Sequence, residues 1–350
     1  MANFHPLKVQ KIDRITEQSV AITFDVPAHL KNDFKFKAGQ YITIKTQLNG
    51  EDIRRDYSLC VSPKSGELKV AVKAVENGTF STHANSNLKV GDVLDVHTPN
   101  GRFVFEPNDS KTKHIAAFAA GSGITPVLSI IKCALEEEQQ SNVVLVYGNK
   151  TTDDTMFLDE LLKLQHEYSD RFSIQFVFSR TKEDDSIFGR IEKSTVNLVV
   201  KNKYKHLEID AFYLCGPEGM INTVKDVLEE HDVNPETIHY ELFKSSKAEP
   251  LTQGITSGHS KLTVLLDEET TTFEMSQKQT ILEAALDQDI DAPYSCQGGI
   301  CSTCIARIKE GEAKMRQNNI LTDGELAEGL ILTCQAQPIT DTITVDYDDV

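Results

Sequence analysis

The sequence predicts three domains in chain order: a small antiparallel β-barrel, an α/β domain built on a parallel sheet, and a small α+β domain. Short runs that alternate apolar and polar residues fill the first third of the chain. In the middle, strand-like apolar runs alternate with helical patterns, and near the end cysteines surround two glycines. A length of 350 residues also exceeds one ordinary domain. We place the domains at residues 1–108, 109–244 and 259–350, with a linker at residues 245–258.

Turn residues in the first third of the chain support the barrel. Asn49-Gly50, Ser65-Gly66 and Asn77-Gly78 are dipeptides that favour tight turns between strands. Many short strands joined by such turns are typical of a small antiparallel barrel. Six strands are predicted, at residues 9–15, 20–26, 41–46, 57–61, 68–75 and 93–96.

Two polar motifs in this region predict a nucleotide pocket. In Arg54-Arg55-Asp56-Tyr57-Ser58, which opens the fourth predicted strand, an arginine suits a pyrophosphate, a tyrosine suits a planar ring and a hydroxyl suits a ring heteroatom. Gly78-Thr79-Phe80-Ser81 opens a predicted helix, whose first amides can bind an anion. Read alone, the first motif also fits an ordinary strand pair, and the second also fits a plain helix cap. Together they favour a flavin nucleotide.

The middle of the chain predicts the parallel sheet. An apolar run at residues 114–120 leads through Gly121-Ser122-Gly123-Ile124-Thr125-Pro126 into a helix that ends near Glu138. Further strands are predicted at residues 143–147, 174–179 and 211–215, each separated by a helical pattern. Ligands of such sheets bind beyond the carboxyl ends of the strands.

Three features lie at those strand ends. The turn from Gly121 to Pro126 departs from the G-x-G-x-x-G pattern, because a proline stands where the last glycine would be. Ser179-Arg180 suits the 2′-phosphate of NADPH, although a solvated loop arginine is an equal alternative and nearby aspartates disfavour the phosphate. Cys215-Gly216-Pro217 ends the next strand and precedes a helix. We therefore predict a nicotinamide nucleotide site, with NADPH favoured and NADH as the alternative.

The cysteines near the end of the chain predict an iron–sulfur cluster. Cys296, Cys301 and Cys304 have the spacing C-x4-C-x2-C, and Cys334 follows after 29 residues. This is the pattern of a plant-type [2Fe–2S] site, and the two glycines inside the loop allow the backbone to approach the cluster. A structural zinc site usually has two C-x2-C pairs, and this stretch has one.

The remainder of the chain supports the same division. Residues 244–258 are rich in turn formers and predict a flexible linker. Beyond it, residues 261–266 and 271–275 predict a hairpin, residues 280–286 a helix capped by Thr280, and residues 342–347 a closing strand. The isolated cysteines are predicted to be buried and inert, namely Cys60, Cys133 and Cys215.

The charge distribution excludes one class of partner and suggests another. A net charge of −17 argues against nucleic acid. Residues 259–350 hold 17 acidic and 6 basic side chains, so most of the net charge lies in the last domain. This is either a solvated acidic surface or a field that steers docking to a basic partner. No long apolar run or export signal is present, so we expect a cytoplasmic protein without a membrane partner.

The combination of barrel, α/β domain and [2Fe–2S] domain resembles the ferredoxin–NADP⁺ reductase superfamily with a C-terminal plant-type ferredoxin. More narrowly, four stretches are similar to the reductase components of phenylacetyl-CoA epoxidase complexes. These stretches are residues 53–60, residues 119–126, Cys215-Gly216-Pro217 and Glu241-Leu242-Phe243. The resemblance implies an oxidoreductase that passes electrons from NADPH to FAD, then to the [2Fe–2S] cluster, and finally to a di-iron monooxygenase acting on an aromatic CoA thioester.

The resemblance also implies roles for single residues. Arg55 would hold the FAD phosphates, Tyr57 would stack on the isoalloxazine ring, and Ser58 would bond near its N5 atom. Cys215 would border the reactive nicotinamide carbon, with Glu241 nearby, so Ser58, Cys215 and Glu241 are the predicted catalytic residues. Motifs and resemblance together assign FAD binding to Arg55, Tyr57, Ser58, Val72, Lys73, Gly78, Ser81 and Thr125, and NADP binding to Gly121, Gly123, Ser179, Arg180, Cys215, Gly216 and Pro217.

Two other functions stay open. The first is an FMN-containing reductase that serves a Rieske dioxygenase or another oxygenase or desaturase. The second is a non-enzymatic redox sensor or cluster carrier, which would show no turnover with NADPH. The sequence does not name the acceptor, because a reductase meets its oxygenase through surface shape and charge rather than through a substrate pocket.

Overall fold

The computed structural model describes residues 4–108, 112–243 and 258–350. The described residues form two compact units. One unit contains residues His5–Ile53 and Tyr57–Phe243, and the other contains residues 258–350 together with Phe4 and Arg54–Asp56. Apart from Gly258, the predicted linker lies outside the described residues.

The barrel is a six-stranded sheet in the order β4-β3-β6-β1-β2-β5. An antiparallel bridge between Leu59 and Val70 joins the chain after β4 to β5, so the two edges of the sheet meet and close it. The predicted antiparallel barrel is confirmed. Its elements are β1 Phe4–Thr16, β2 Ser19–Asp25, β3 Tyr41–Leu48, β4 Glu51–Ser58, β5 Leu68–Lys73, α1 Thr79–Ser86 and β6 Val93–His97.

Strand β4 corrects one prediction. The strand begins at Glu51 and ends at Ser58, whereas the sequence predicted a strand at residues 57–61. Asn49 and Gly50 have φ angles of 56° and 81°, as a two-residue turn between β3 and β4 requires. The tight turn therefore fixes where β4 starts, and the motif around Tyr57 lies at the end of the strand rather than at its beginning.

The second sheet is parallel and has the order β10-β9-β8-β7-β11-β12. The chain runs outward from β7 to β10 and then returns to β11 on the other side of β7, so the strand order reverses between β7 and β11. Such a reversal is where open α/β sheets bind nucleotides. The elements are β7 His114–Ala120, α2 Ile124–Glu137, β8 Asn142–Asn149, α3 Leu158–Glu167, β9 Phe172–Phe178, β10 Ile187–Phe188, α4 Lys193–Asn197, β11 Ala211–Gly216, α5 Glu218–Glu229 and β12 Ile238–Leu242.

Helix α2 ties the barrel to the parallel sheet. Its residues 124–135 are all buried, so the helix is covered on every side. It belongs to one core cluster that also holds Phe103 and Phe105 of the barrel region and Ile115 of β7. A helix that is apolar all round is expected where it lies between two layers. Barrel and parallel sheet therefore share a core within this unit.

The second unit is a small α+β domain. Its main sheet has the order β14-β13-β19-β15-β17, and β16 pairs with β18. The hairpin, the closing strand and the helix capped by Thr280 are confirmed, the last through a capping box with Glu283. The elements are β13 His259–Leu266, β14 Glu269–Ser276, α6 Ile281–Leu286, β15 Ile305–Glu310, β16 Ala313–Met315, α7 Asp323–Ala327, β17 Leu330–Leu332, β18 Ala336–Pro338 and β19 Thr342–Asp346.

Helix length bears on membrane association. Across residues 4–108, 112–243 and 258–350, no helix combines the length and the apolar character that crossing a membrane requires.

Candidate functional site

The three residues predicted to be catalytic converge in the unit that holds the barrel and the parallel sheet. The Ser58 hydroxyl, at the end of β4, donates to Glu241 Oε2 at 3.4 Å, although 183 residues separate the two in sequence. Glu241 pairs with Cys215 in the parallel register of β12 and β11. The carboxyl end of the parallel sheet and the motif of the barrel therefore meet at one place.

Cys215 is a neutral thiol in this arrangement. Its side chain is fully buried and belongs to the core around α2. Burial raises the pKa of the Cys215 thiol well above its ordinary value, and the Glu241 carboxylate raises it further. Both effects favour the protonated thiol over the thiolate nucleophile. The predicted contact of Cys215 with the nicotinamide stays a prediction, and in this conformation the core covers the thiol.

The glycine turn after β7 packs directly on the end of β11. A Cβ atom on Gly123 would lie 2.1 Å from the Cys215 carbonyl oxygen and 2.9 Å from the Gly216 nitrogen. A Cβ atom on Gly216 would lie 3.2 Å from the Ala120 nitrogen. Backbone meets backbone here, at the point where the strand order reverses, and only glycine permits that approach. The residues present fit the close approach of a nucleotide.

Other residues predicted for the nucleotide lie near the same sheet edge. Thr125 is buried in the first turn of α2, and its hydroxyl donates to the Ser122 carbonyl oxygen at 3.0 Å. Gly121 adopts a left-handed φ of 55°, and Pro217 caps helix α5. The Thr125 hydroxyl therefore already has an acceptor, and a contact of Thr125 with the flavin needs its free lone pairs or its methyl group.

Ser179 and Arg180 follow the end of β9. The Arg180 amide donates to the Lys150 carbonyl oxygen at 2.9 Å, and the Ser179 amide donates to the Asn149 carbonyl oxygen at 3.0 Å. The side chains of Arg180 and Lys150 are both exposed. Two cationic residues therefore stand on neighbouring backbone segments at the carboxyl edge of the sheet. Sequence reasoning missed Lys150, which stands just beyond the end of β8.

The residues predicted for the flavin differ in their exposure, and Ser58, Ser81 and Thr125 are buried. Arg55 is exposed and donates to the Arg54 carbonyl oxygen at 2.6 Å. The Tyr57 ring is half-buried, 5.4 Å from the Phe80 ring. Lys73 is half-buried too, and burial lowers the pKa of its ammonium group. The side chain of Val72 lies in the barrel core, so only its main chain can contact a ligand.

The turn before α1 has the shape of a phosphate cradle. A Cβ atom on Gly78 would lie 2.2 Å from Ser81 Oγ and 2.6 Å from Val75 Cγ2, so a larger residue would require these side chains to move. No side chain caps the start of α1, and Ser81 Oγ accepts a hydrogen bond from the Val75 amide at 3.3 Å. The Ser81 hydroxyl hydrogen is thus available to an acceptor. These groups fit the pyrophosphate of a flavin nucleotide.

The four cysteines of the C-terminal motif form two thiol pairs. A hydrogen bond links Cys296 to Cys301, which lowers the pKa of Cys296 and raises that of Cys301 well above its ordinary value. A second bond links Cys304 to Cys334, lowers the pKa of Cys334 and raises that of Cys304. Within the described residues, no three His, Cys, Asp or Glu side chains are placed around one metal ion. Two pairs fit a two-iron cluster, whose four thiolates are divided between the irons, better than one zinc ion.

The loop around these cysteines is built for an inorganic group. The Gly298 amide donates to Cys296 Sγ at 3.3 Å, and Gly299 has a left-handed φ of 68°. A Cβ atom on Gly299 would lie 3.1 Å from Gln335 Cγ. Ser295 Oγ and Gln335 Oε1 are buried and have no hydrogen-bond partner within the described residues. Sequence reasoning missed Ser295 and Gln335, although both directly flank ligand cysteines.

The two cysteines outside both sites are inert. Burial raises the pKa of the Cys60 thiol to about 12. Burial likewise raises the pKa of Cys133, and the Glu137 carboxylate adds to the rise. Both thiols are buried, as the sequence predicted.

Comparisons with known proteins agree with this geometry. Three family models match in chain order: an oxidoreductase FAD-binding domain over residues 6–105, an oxidoreductase NAD-binding domain over residues 118–226, and a 2Fe-2S iron–sulfur cluster binding domain over residues 264–338. The chain is 36% identical over 351 residues to one of the subunits of 1,2-phenylacetyl-CoA epoxidase from Escherichia coli (strain K12), with 99% of each chain covered. The chain belongs to the ferredoxin–NADP⁺ reductase superfamily.

As a member of this superfamily, the chain is an NAD(P)H-dependent electron-transfer oxidoreductase with FAD and a [2Fe–2S] cluster. It is also 32% identical to the ferredoxin reductase component of 3-ketosteroid-9-alpha-monooxygenase from Mycolicibacterium smegmatis (strain ATCC 700084 / mc(2)155), with 99% of this chain and 98% of the relative covered. Among solved structures, phthalate dioxygenase reductase matches with a TM-score of 0.61 and 26% identity, covering 98% of each chain. The printed names of these two relatives assign them to an epoxidase and to a monooxygenase.

Proposed function

We propose that this chain is the reductase of a di-iron monooxygenase complex that epoxidises an aromatic CoA thioester, phenylacetyl-CoA, in the cytoplasm. The observation that carries the proposal is the full-length identity of 36% to a component of such an epoxidase, compared with 32% to the component of 3-ketosteroid-9-alpha-monooxygenase. A cytoplasmic site suits the buried free thiols, which a reducing compartment preserves.

The barrel residues would hold FAD, and the four cysteines would hold the [2Fe–2S] cluster; once bound, these groups would supply the conversion of a hydride into single electrons. The residues supply orientation. Tyr57 offers a ring face to the isoalloxazine, Arg55 offers its guanidinium to the phosphates, and the Gly78 turn offers main-chain amides. Ser58 donates to Glu241, which fixes the direction of a hydroxyl that would face the flavin. Burial and the Glu241 carboxylate raise the pKa of the Cys215 thiol, which favours its protonated form.

The proposal is tested by reconstitution. Purified protein loaded with FAD and cluster is mixed with NADPH, phenylacetyl-CoA and the purified oxygenase components of a phenylacetyl-CoA epoxidase, and the epoxide is measured by mass spectrometry. We expect epoxide formation that depends on this chain. If NADPH reduces this chain but the rate of epoxide formation is the same with and without the chain, the proposed partner is contradicted.

The alternatives give different results in the same material. A reductase of a Rieske dioxygenase of the FMN type would release FMN on denaturation, whereas we expect the mass of FAD. A redox sensor or cluster carrier would show no NADPH turnover with any acceptor. Phthalate dioxygenase reductase, which the fold resembles, keeps the first alternative worth testing.

We further propose that the protein prefers NADPH over NADH and that Arg180 binds the 2′-phosphate of NADPH. Replacing Arg180 with alanine is expected to raise KM for NADPH about tenfold and to leave KM for NADH unchanged, because a charge-assisted contact to phosphate is worth about 1.5–3 kcal/mol. Steady-state kinetics with an artificial acceptor measure both values. Lys182→Ala is the matched control, since this lysine of the same loop lies 5.2 Å from the Phe188 ring. An equal rise of both KM values would refute the assignment.

The acidic last domain predicts a salt effect on electron delivery. Residues 259–350 hold 17 acidic and 6 basic side chains. If this field steers docking to a basic patch of the oxygenase, the second-order rate of electron delivery should fall about tenfold or more between about 20 mM and about 500 mM salt. The rate at which NADPH reduces a small artificial acceptor is measured at the same salt concentrations. This rate corrects for any effect of salt on NADPH binding. A delivery rate that is independent of salt would mean that the acidic surface is only solvated.

A further inference from the structure

Gln335 directly follows the fourth ligand cysteine and is held firmly in place. Its side chain is 4% exposed. The main-chain N–H of Gln335 donates to the Leu332 carbonyl oxygen at 2.8 Å, and its main-chain carbonyl oxygen accepts from the main-chain N–H of Arg316 at 2.9 Å. Burying the polar side-chain amide of Gln335 costs free energy unless its atoms form hydrogen bonds. The partners of that amide therefore indicate its role.

The side-chain nitrogen of Gln335 faces two acceptors. Nε2 donates to the Gln297 carbonyl oxygen at 2.9 Å and lies 3.6 Å from Cys334 Sγ. An amide nitrogen carries two hydrogens, so both contacts can be made at once. Gln297 belongs to the loop that carries the first three ligand cysteines, whereas Cys334 arrives from a distant segment. One amide group therefore bridges the two parts of the cluster site.

The loop residue that Gln335 contacts is in an unfavourable conformation. Gln297 has a φ of 51°, in the left-handed region that side chains with a Cβ rarely adopt. The turn directs the next amide, Gly298 N–H, to Cys296 Sγ at 3.3 Å. A Cβ atom on Gly299 would lie only 3.1 Å from Gln335 Cγ, so the Gln335 side chain packs closely against Gly299. The hydrogen bond from Gln335 thus stabilises a turn that aims an amide at a ligand sulfur.

We propose that Gln335 is a positioning residue of the cluster site: its amide holds the turn at Gln297 and donates to the Cys334 sulfur, which raises the reduction potential of the bound cluster. Hydrogen bonds to cluster sulfurs favour the reduced form, because reduction adds negative charge that the donors stabilise. Removing the donors while keeping the volume should therefore make the cluster harder to reduce and easier to lose.

Gln335→Met tests the proposal, because methionine matches the length of glutamine and lacks the N–H donors. The full-length protein, loaded with FAD and cluster, is titrated electrochemically while the EPR signal of the reduced cluster is recorded. We expect the one-electron equilibrium to shift about tenfold toward the oxidised form, a midpoint about 59 mV more negative. We also expect faster loss of iron to a chelator. A midpoint equal to that of the wild type overturns the proposal.

Gln337→Met is the matched control. Gln337 stands two residues further along and is 3% exposed, yet its Nε2 donates to the Lys278 and Gln277 carbonyl oxygens, at 2.5 Å and 3.5 Å. The same substitution there removes an equally buried amide with different acceptors, so its cluster midpoint should equal that of the wild type. Equal shifts in both variants would assign the effect to lost packing and overturn the proposal.

A second measurement decides the matter if Gln335→Met does not take up the cluster. Protein with ¹⁵N only in glutamine side-chain amides is prepared in a Gln297→Met background, since the Gln297 side chain is exposed. Pulsed EPR of the reduced protein should show ¹⁵N coupled to the cluster spin, and absence of coupling overturns the proposal. The inference rests on the proposed function only for the presence of the cluster. NADPH-driven cluster reduction with an unchanged midpoint rejects the role of Gln335 alone, whereas a wild-type cluster that NADPH cannot reduce rejects the proposed function.

Discussion

Replacing Cys301 with serine is expected to lower NADPH-driven reduction of a one-electron protein acceptor by more than about 100-fold. The serine hydroxyl is a poor ligand for iron, and Cys301 is the partner of Cys296 in one of the two thiol pairs. Apart from Arg55, the predicted nucleotide and flavin residues lie in the other compact unit, so NADPH oxidation by a two-electron dye should stay within about twofold of the wild type. Stopped-flow assays with cytochrome c and with a two-electron dye measure the two activities.

Cys133→Ser is the control for the effect of a cysteine substitution as such. Cys133 is buried in the core around α2, and its thiol donates to Glu137 Oε1 at 3.4 Å, a bond that a serine hydroxyl can also make. Both activities should survive in this variant. Undiminished one-electron delivery by Cys301→Ser would falsify the route through the cluster, and loss of both activities would point to misfolding rather than to a broken route.

Local chemistry allowed the cluster site of the C-terminal domain to be predicted. The spacing of the four cysteines predicts the cluster, because three ligands must fit on one tight loop. The division into two pairs, Cys296 with Cys301 and Cys304 with Cys334, does not follow from spacing, since it depends on how the loop meets the turn between β17 and β18 that carries Cys334. The role inferred for Gln335 is hidden for the same reason.

Strand β4 shows why alternation failed where it did. Five of its eight residues are charged, so the apolar and polar pattern that marks a strand is masked. The apolar run Leu59-Cys60-Val61 looked like a strand because it is buried, but it makes only an isolated bridge to β5, from Leu59 to Val70, and helix α2 packs against its end. Ser129 of α2 donates to the Val61 carbonyl oxygen at 2.7 Å, and Lys132 donates to the Cys60 carbonyl oxygen at 3.3 Å. Tertiary packing determines whether such a buried apolar run forms a strand, and sequence periodicity does not contain that information.

Several elements of the C-terminal domain were missed although one had a visible signal. Helix α7 begins after Thr322, and Thr322 with Glu325 forms a capping box. The pattern Thr-x-x-Glu that encodes it stands in the sequence. Strands β16, β17 and β18 have three residues each, which is too short for any period to appear. The first of these omissions was avoidable, and the others were not.

The meeting of Ser58 with Glu241 marks the limit of prediction for the site. Each residue was singled out from its own motif, and the two motifs lie in different domains of the sequence prediction. Nothing in either motif states that the Ser58 hydroxyl reaches Glu241 across 183 residues. The contact depends on α2, which is buried between barrel and sheet and so sets their separation. Residue types were therefore predictable from chemistry, whereas their convergence required the packed core.

Gly123→Ala is expected to destabilise the unit that holds the barrel and the parallel sheet by about 3 kcal/mol and to raise KM for NADPH. The added Cβ would lie 2.1 Å from the Cys215 carbonyl oxygen and 2.5 Å from the Cys215 carbonyl carbon, and both are backbone atoms that cannot rotate away. Overpacking of this kind costs about 1–3 kcal/mol, and more where the backbone must move. The added methyl group would also push the turn at Gly123 away from β11. This movement would disturb the expected nucleotide site and so raise KM for NADPH. Calorimetry of the FAD-loaded full chain measures the loss as a lower melting temperature.

Gly219→Ala is the matched control because it adds the same methyl group at another glycine of the same sheet edge. Gly219 lies in the first turn of α5 and is exposed, and a Cβ there would meet no atom within 4 Å. Since its φ is not left-handed, alanine should raise stability by about 0.5–1 kcal/mol through its better helix propensity. A melting temperature of Gly123→Ala equal to the wild-type value would mean that the turn and β11 are not in backbone contact, and the nucleotide site built on that contact would have to be abandoned. Opposite signs for the two substitutions would instead tie the effect to the close approach at the reversal of strand order, because chain entropy alone favours alanine at both positions.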